Sequence, residues 1–409
     1  MSFYEVNKKY ILGSLALLLF VGGFGGGYAF SQQGYSIQLA PLRFIERNRG
    51  NAPADVNWQI LWDAISTINE KYVERPVDQQ QLLYGAVSGM VASLGDPYTV
   101  FFTPIKSEEF KSDLKGEFSG IGAEIGMRNN ALVVIAPLED SPAEQAGLKP
   151  QDQILKINGE STEKLALDEA VSKIRGPKGS KVTLTIYRTG DAEPREVAII
   201  RDTIVVKSVS VEYKDVGKKK IGVIKLRRFG DDTKGDMNDA VTKLLRENVA
   251  GVILDLRNNP GGYITTAVEV ASNWVDEGKV IVSEQFGDGR KDPYSAQGAT
   301  RLKGLPAVVL VNEGSASASE IVAGALHDYG LAVLVGKKTF GKGSVQELVD
   351  LPDGTNIKVT IAKWLTPNGK NINIEGIQPD IEAEITQEDI NASRDPQMDK
   401  ALEELGKKL

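Results

Sequence analysis

The sequence predicts a multidomain chain of mixed α/β and α+β class. It comprises an apolar N-terminal helix, a helical segment, a small β-rich unit and an α/β core. Three observations predict it. The chain has 409 residues, too many for one hydrophobic core. Its second half alternates continuous apolar runs with helical periods, the pattern of strands buried on both faces. Ahead of that half lies a stretch of short β-type runs separated by turn residues.

The elements follow in order. Lys8 and Lys9 precede the uncharged run Tyr10 to Phe30, 21 residues long, enough for one membrane span at about 1.5 Å per residue. The basic side comes first and no A-x-A cleavage site follows, so residues 1–35 are expected to be an uncleaved signal anchor. Arg43, Arg47 and Arg49 on the far side weaken the charge asymmetry. A buried core helix is the alternative, which the terminal position and the glycines disfavour. Residues 36–57 read as a polar linker, and 58–110 as two or three helices, broken by Pro97 and Pro104 in "GDPYTVFFTP".

The β-rich unit spans 111–205. Strands are expected at Ala131–Ile135, Gln153–Ile157 and Lys181–Tyr187, with helices near Ser141–Ala146 and Ala166–Arg175. The α/β core spans 206–385. Its strands are "IGVIKL", "GVILDLR", "AVVLVN" and "LAVLVG", and its helices Lys234–Glu247, Tyr263–Val275 and Ala318–Asp328. The tail, 386–409, is charged and helical, with no assigned role.

Composition excludes several chemistries. The net charge is −7 and no long basic run occurs, so no nucleic-acid partner is expected. There is no cysteine, hence no disulfide, thiolate catalysis or cysteine metal site. His327 is the only histidine, which argues against a zinc enzyme built on imidazole ligands.

The segment "NEGSASASEIVAGALHDYG", Asn312 to Gly330, follows an apolar strand and carries Ser315, Ser317 and Ser319. On a helix from Ala318, His327 lies about 15 Å along the axis from Ser317, too far for the direct contact a Ser-His pair needs. Either there is no serine catalysis or the base is a lysine. Ser317-x-x-Glu320 also reads as a capping box, a common structural motif. A serine at a helix start nevertheless lies beside N–H groups that can stabilise an oxyanion.

Lys342 lies between Gly341 and Gly343 in "VGKKTFGKGSVQ". A lysine base must be neutral, against a reference pKa of about 10.4, and burial without a carboxylate partner lowers that value. A glycine loop with a solvated lysine is the structural alternative. The same stretch nearly completes a phosphate-binding loop, Gly336-x-x-x-x-Gly341-Lys342, but position 343 is glycine rather than Ser or Thr, and a strand-like run follows where that motif needs a helix. Nucleotide binding is not expected.

These paired motifs, with "DLRNNPGGY" at Asp255 to Tyr263, resemble the carboxyl-terminal processing peptidases, or tail-specific proteases. The likeness covers about Trp58 to Ile385, and the β-rich unit resembles that family's PDZ domain. The resemblance implies a Ser/Lys serine endopeptidase in which Ser317 is the nucleophile, Lys342 the general base and Gln346 the residue that orients the lysine. Residues four apart on a strand share a face, so Gln346 can lie beside Lys342. Asp328 falls at a family position sometimes grouped with these residues. Eleven residues from Ser317, it also reads as a polar helix end. The N–H groups of Ala318 and of Gly261 or Gly262 are candidate oxyanion donors. "NPGG" also reads as a tight strand-to-helix turn.

In the PDZ-like unit, Gly120, Ile121 and Gly122 occupy the place of the carboxylate-binding loop, where a protein's C-terminal tail would add as a strand. Arg175 ends the groove helix and is expected to couple peptide occupancy to the active site. The alternative is a helix-end cation. The partners implied are protein or peptide tails and, through the anchor, a membrane. The catalytic part would lie outside the cytoplasm, in the periplasm or at the cell surface. No metal or organic cofactor is implied, and self-association stays open. The competing reading is a non-catalytic, membrane-tethered PDZ scaffold.

Overall fold

The computed structural model describes residues 35–39, 42–46, 56–128, 131–138 and 140–409. The expected N-terminal span lies outside the described residues. Among the described residues no helix is long and apolar enough to cross a membrane. The chain divides into two compact units, residues up to Leu83 and residues from Tyr84 onward.

In the first unit, the expected linker contains an antiparallel strand pair, Tyr35–Leu39 with Leu42–Glu46. The helix Gln59–Lys71 follows. The second unit begins within the helix Gln79–Ala92 and holds both the β-rich unit and the core.

The β-rich unit is an antiparallel sheet in the order Arg195–Ile200, Lys181–Tyr187, Gln153–Ile157, Ala131–Pro137, Ala123–Arg128. The period of two is plain in Lys181–Tyr187, where Val182, Leu184 and Ile186 are buried and their neighbours are not. The helix Leu167–Ile174 drops Ala170 and Ile174, four apart, onto this core. The expected helix near Ser141–Ala146 is a single turn, Pro142–Gln145, capped by the Ser141 hydroxyl, which accepts the Glu144 N–H at 3.2 Å.

The core sheet runs Val209–Val216, Lys219–Leu226, Gly251–Asp255, Ala307–Val311, Ala332–Gly336, Ile381–Glu382. Its first pair is antiparallel and the rest are parallel. Both faces are buried, as the continuous apolar runs require. Val252, Leu254, Ala307, Val309 and Val311 point to one face, which packs against the helices Thr233–Arg246, Ile264–Ala271 and Ala318–Asp328. Ile253, Val308 and Leu310 point to the other.

That second face is covered by the tail. Helix Pro396–Gly406 buries Met398, Ala401 and Leu405 against Ile221, Val223, Ile253 and Val335. The tail, which the sequence left without a role, therefore completes the core. The helix expected over Tyr263–Val275 is regular only over Ile264–Ala271. Beyond it, the Ser272 hydroxyl bonds the Val268 carbonyl and the chain turns.

A second sheet was not expected. It joins Lys291–Ser295, Val280–Phe286, Asn356–Leu365 and Ser344–Asp350, with Val100–Phe102 paired to Asn356–Leu365. This sheet carries the segment that follows Lys342, and so forms one wall of the site.

Candidate active site

Three neighbouring parallel strands, Gly251–Asp255, Ala307–Val311 and Ala332–Gly336, release their chains at the carboxyl edge of the sheet, the usual place for a ligand site in such folds. Their loops hold Asn258 to Tyr263, Asn312 to Ser317, and Lys337 to Gly343. The first two loops are stitched together. Asn312 Oδ1 accepts the Asn258 N–H at 2.8 Å, and Asn312 Nδ2 donates to Asn258 Oδ1 at 2.8 Å. The buried Ser315 hydroxyl donates to the Leu256 carbonyl at 2.8 Å, and the buried Ser319 hydroxyl to the Asn259 carbonyl at 2.9 Å. Two of the three serines are thus committed to structure.

Ser317 is different. Its backbone has φ +54° and ψ −114°, a conformation that costs a non-glycine residue of order 1–3 kcal/mol. Its hydroxyl makes no capping bond, although the sequence reads as a box. Only the reciprocal half forms: the Glu320 carboxylate accepts the Ser317 N–H at 2.8 Å. The residue is half-buried, and its hydroxyl has no hydrogen-bond partner among the described residues.

Glu320 is the residue that sequence reasoning undervalued. It is fully buried. One oxygen accepts the Thr339 hydroxyl at 2.6 Å and the Gly341 N–H at 2.8 Å. The other accepts the Ser317 N–H and, at 3.0 Å, the Lys342 N–H. Ser317 and Lys342, 25 positions apart, therefore bond a single carboxylate oxygen through their backbones. The four bonds satisfy a buried anion that would otherwise be strongly unfavourable. The only sequence signal was the acidic residue three places after the serine, which capping also explains.

The glycines around Lys342 are needed for close approach. A Cβ on Gly341, whose φ is +89°, would lie 2.9 Å from the Ile374 carbonyl, and one on Gly343 would lie 2.5 Å from the Asn373 nitrogen. Lys342 is largely buried and makes no ion pair among the described residues. Burial pushes its ammonium down to about 8. Lys358 pushes the same way, and Glu320 and Asp96 oppose it. Its Nζ lies 5.4 Å from the centre of the Tyr98 ring.

The expected oxyanion donors separate. A Cβ on Gly261 would lie 2.8 Å from Ser317 Cβ and 3.0 Å from the Ala318 nitrogen, so the loop does press against the nucleophile candidate. The Gly261 N–H, however, donates to Asn259 Oδ1 at 2.9 Å. That corrects its expected role: it supplies clearance, not a donor. Gly262 and Ala318 keep N–H groups without a partner among the described residues.

Gln346 lies on Ser344–Asp350. Its Nε2 donates to Ser344 Oγ at 2.8 Å and Thr360 Oγ1 at 3.2 Å. Asp328 lies at the far end of the serine helix, where its Oδ2 accepts the Asn368 N–H at 2.9 Å. His327 beside it faces Asp380, 3.1 Å away. Neither residue is brought to Ser317.

In the β-rich unit, Gly120 ends a strand paired to Asp202, Ile121 is buried, and Gly122 has φ +72°. A Cβ on Gly122 would lie 2.5 Å from Ser141 Cβ. The Arg175 guanidinium stacks 4.8 Å from the Phe118 ring centre, next to Gly120.

Comparison with known proteins shows the family. Over 331 residues the chain is 39% identical to the carboxy-terminal processing protease CtpA of Bacillus subtilis (strain 168), covering 81% of this chain and 70% of that protein. The chain belongs to the carboxy-terminal processing protease family. The part of this family member that matches the profile of peptidase family S41 is residues 220–383. A PDZ profile matches 110–187, and the "Activating protease CtpB N-terminal domain" profile matches 19–104. It is 41% identical over 332 residues to a probable CtpA-like serine protease of Staphylococcus aureus (strain MSSA476), covering 81% of this chain and 66% of that relative's length. Among solved structures, the photosystem II D1 C-terminal processing protease is 30% identical with a TM-score of 0.53, covering 85% of this chain and 96% of that one. A putative S41 protease from Bacteroides fragilis, 19% identical with a TM-score of 0.61, shares the fold over 84% of this chain and 97% of its own.

Proposed function

We propose that this chain is a serine endopeptidase that cleaves proteins captured by apolar or unstructured C-terminal tails. The observation that carries the reading is the shared Glu320 oxygen, which holds the backbones of a strained serine and a buried lysine together. Lys342 has no carboxylate partner among the described residues, so it can shed its proton near neutral pH. Ser317 Oγ attacks the scissile carbonyl while Lys342 Nζ takes its proton. The N–H groups of Ala318 and Gly262 receive the oxyanion. Lys342 then returns the proton to the leaving amine, and water releases the acyl-enzyme. Gln346 orients the lysine with a neutral amide, where a carboxylate would hold it charged.

The substrate's terminal carboxylate binds at Gly120 to Gly122 and its chain adds as a strand beside Ala123–Arg128. Arg175 lies where an occupied groove would be felt. The apolar N-terminal run tethers the chain to a membrane, with the catalytic unit outside the cytoplasm. Incubation with casein and with a peptide ending in an apolar tail tests the reading. Fragments form with the wild type and are lost with Ser317→Ala and with Lys342→Ala, while thermal unfolding stays cooperative. Full cleavage by either variant removes the assignment. Tail binding without any cleavage by the wild type establishes the scaffold instead.

A further inference from the structure

Behind Gln346 lies a hydrogen-bond chain that begins in the "GDPYT" turn. Asp96 Oδ2 accepts the Thr360 hydroxyl at 2.6 Å and the Thr99 hydroxyl at 2.6 Å. Asp96 Oδ1 accepts the Tyr98 N–H at 3.0 Å. Thr99 Oγ1 in turn accepts the Thr360 N–H at 3.0 Å. Thr360 faces Gln346 across the strand pair Asn356–Leu365 and Ser344–Asp350, and its oxygen receives the Gln346 amide.

The direction of this chain is forced. A carboxylate only accepts, and a threonine hydroxyl has one proton. That proton goes to Asp96, so Thr360 Oγ1 can only accept from Gln346. The second amide proton of Gln346 goes to Ser344 Oγ. Both donors of the amide are then placed, and Oε1 is the group left over. An acceptor oxygen is what a lysine needs if it is to be oriented without gaining a counter-charge.

We propose that Asp96 is a positioning residue that acts through Thr360 to fix which end of the Gln346 amide is offered to Lys342. The inference rests on the Ser317/Lys342 reading. Reverse the chain, and Thr360 must donate toward Gln346. The amide then turns and presents an N–H that repels the ammonium and competes for nothing useful. Burial would raise the Asp96 carboxyl, but the hydroxyls of Thr360 and Thr99 hold it below the usual carboxylate range, so it stays an acceptor throughout the working pH. The charged or titratable groups around Lys342 are Lys358, Glu320, Asp96 and Tyr98. Only Asp96 also bonds Thr360.

The test uses the whole chain and a tailed peptide substrate across pH. Wild-type cleavage that is lost with Ser317→Ala comes first, and its failure would remove the underlying reading rather than this inference. Thr360→Val keeps the shape and the Asp96 charge but breaks the chain. The plateau of kcat is expected to fall about tenfold or more, with KM unchanged and the acid limb of kcat/KM where the wild type has it. Thr360→Ser keeps the hydroxyl and should hold the plateau within about twofold. Asp96→Ala, which leaves the Thr360 hydroxyl no acceptor at that position, should lower the plateau as Thr360→Val does, and also move the acid limb to lower pH, because the Asp96 charge favours the protonated lysine. A full plateau in Thr360→Val, or an equal loss in Thr360→Ser, overturns the proposal. If Thr360→Val does not fold, a full plateau in Asp96→Ala overturns it by itself.

Discussion

At the scale of single residues, the working parts differ from their neighbours in what they are not bonded to. Ser315 and Ser319 have buried hydroxyls committed to backbone carbonyls, while the Ser317 hydroxyl has no capping bond. The choice of Ser317 among the three serines came from the family resemblance. Sequence spacing excluded His327, because helix geometry alone separates it from Ser317. It could not show that Glu320 serves two loops, since Thr339, Gly341 and Lys342 reach it only through the fold. Glu320→Gln keeps the volume but turns one acceptor into a donor facing N–H groups. It should lower kcat about 10- to 100-fold and destabilise the chain by about 1–3 kcal/mol, measured by peptide cleavage and urea unfolding. Lys342 gives a prediction with a definite sign. It must be neutral to act, so kcat/KM should rise tenfold per pH unit up to about 8 and then level. Its folded-state value lies below the unfolded one, so burial of the ammonium costs stability below about pH 8, and the cost fades as pH rises toward about 10.4. Lys342→Met should therefore be inactive yet more stable by about 1–2 kcal/mol at pH 7, with the gain shrinking at pH 10. An equal gain at both pH values would contradict this origin.

At the scale of elements, the parallel strands and the serine helix were legible because burial on both faces leaves unbroken apolar runs and the helix shows its period. The second sheet was not. In Val280–Phe286 and Lys291–Ser295 burial is partial, and Asn356–Leu365 is only half-buried from Ile357 to Ile361, so no clean alternation marks them. Two partners of Asn356–Leu365, Val100–Phe102 and Val280–Phe286, are distant from it in sequence. The glycine turns could be read as turns, but not their tolerances. Gly262 has φ +145°, and a Cβ there would collide with the Phe229 carbonyl oxygen. Gly262→Ala should lower stability by about 3 kcal/mol or more in urea unfolding. Gly235, with open space around it and no positive φ, is the matched control and should tolerate alanine, within about 1 kcal/mol or with a gain.

At the scale of the second unit, the tail helix and the protease core are one object. Leu405 and Ala401 are fully buried against the outer face of the core sheet. Arg257, in the loop that leads to Gly262, pairs with Asp255 at 2.7 Å and with Asp395, the cap of that helix, at 2.9 Å. The two carboxylates hold the guanidinium charged despite its burial. The sequence suggested a helical tail but gave no partner for it, because its apolar stripe is short and lies among charges. Leu405→Ala should cost about 3 kcal/mol and lower the melting temperature of the core, with kcat little changed at temperatures where the chain stays folded. Arg257→Met, which leaves two carboxylates facing each other, should reduce both stability and activity.

The frame around Glu320 grips main chain more than side chain: three of its four partners are backbone N–H groups. The side chains at 317 and 342 can thus be exchanged without removing the bonds that hold their backbones to Glu320. The chain contains no cysteine, so Ser317→Cys would place a single thiol in an otherwise thiol-free molecule. Its alkylation rate by iodoacetamide, followed against pH with Lys342 present or replaced by methionine, would gauge how strongly the lysine activates whatever atom the side chain at position 317 carries, without any substrate being cleaved.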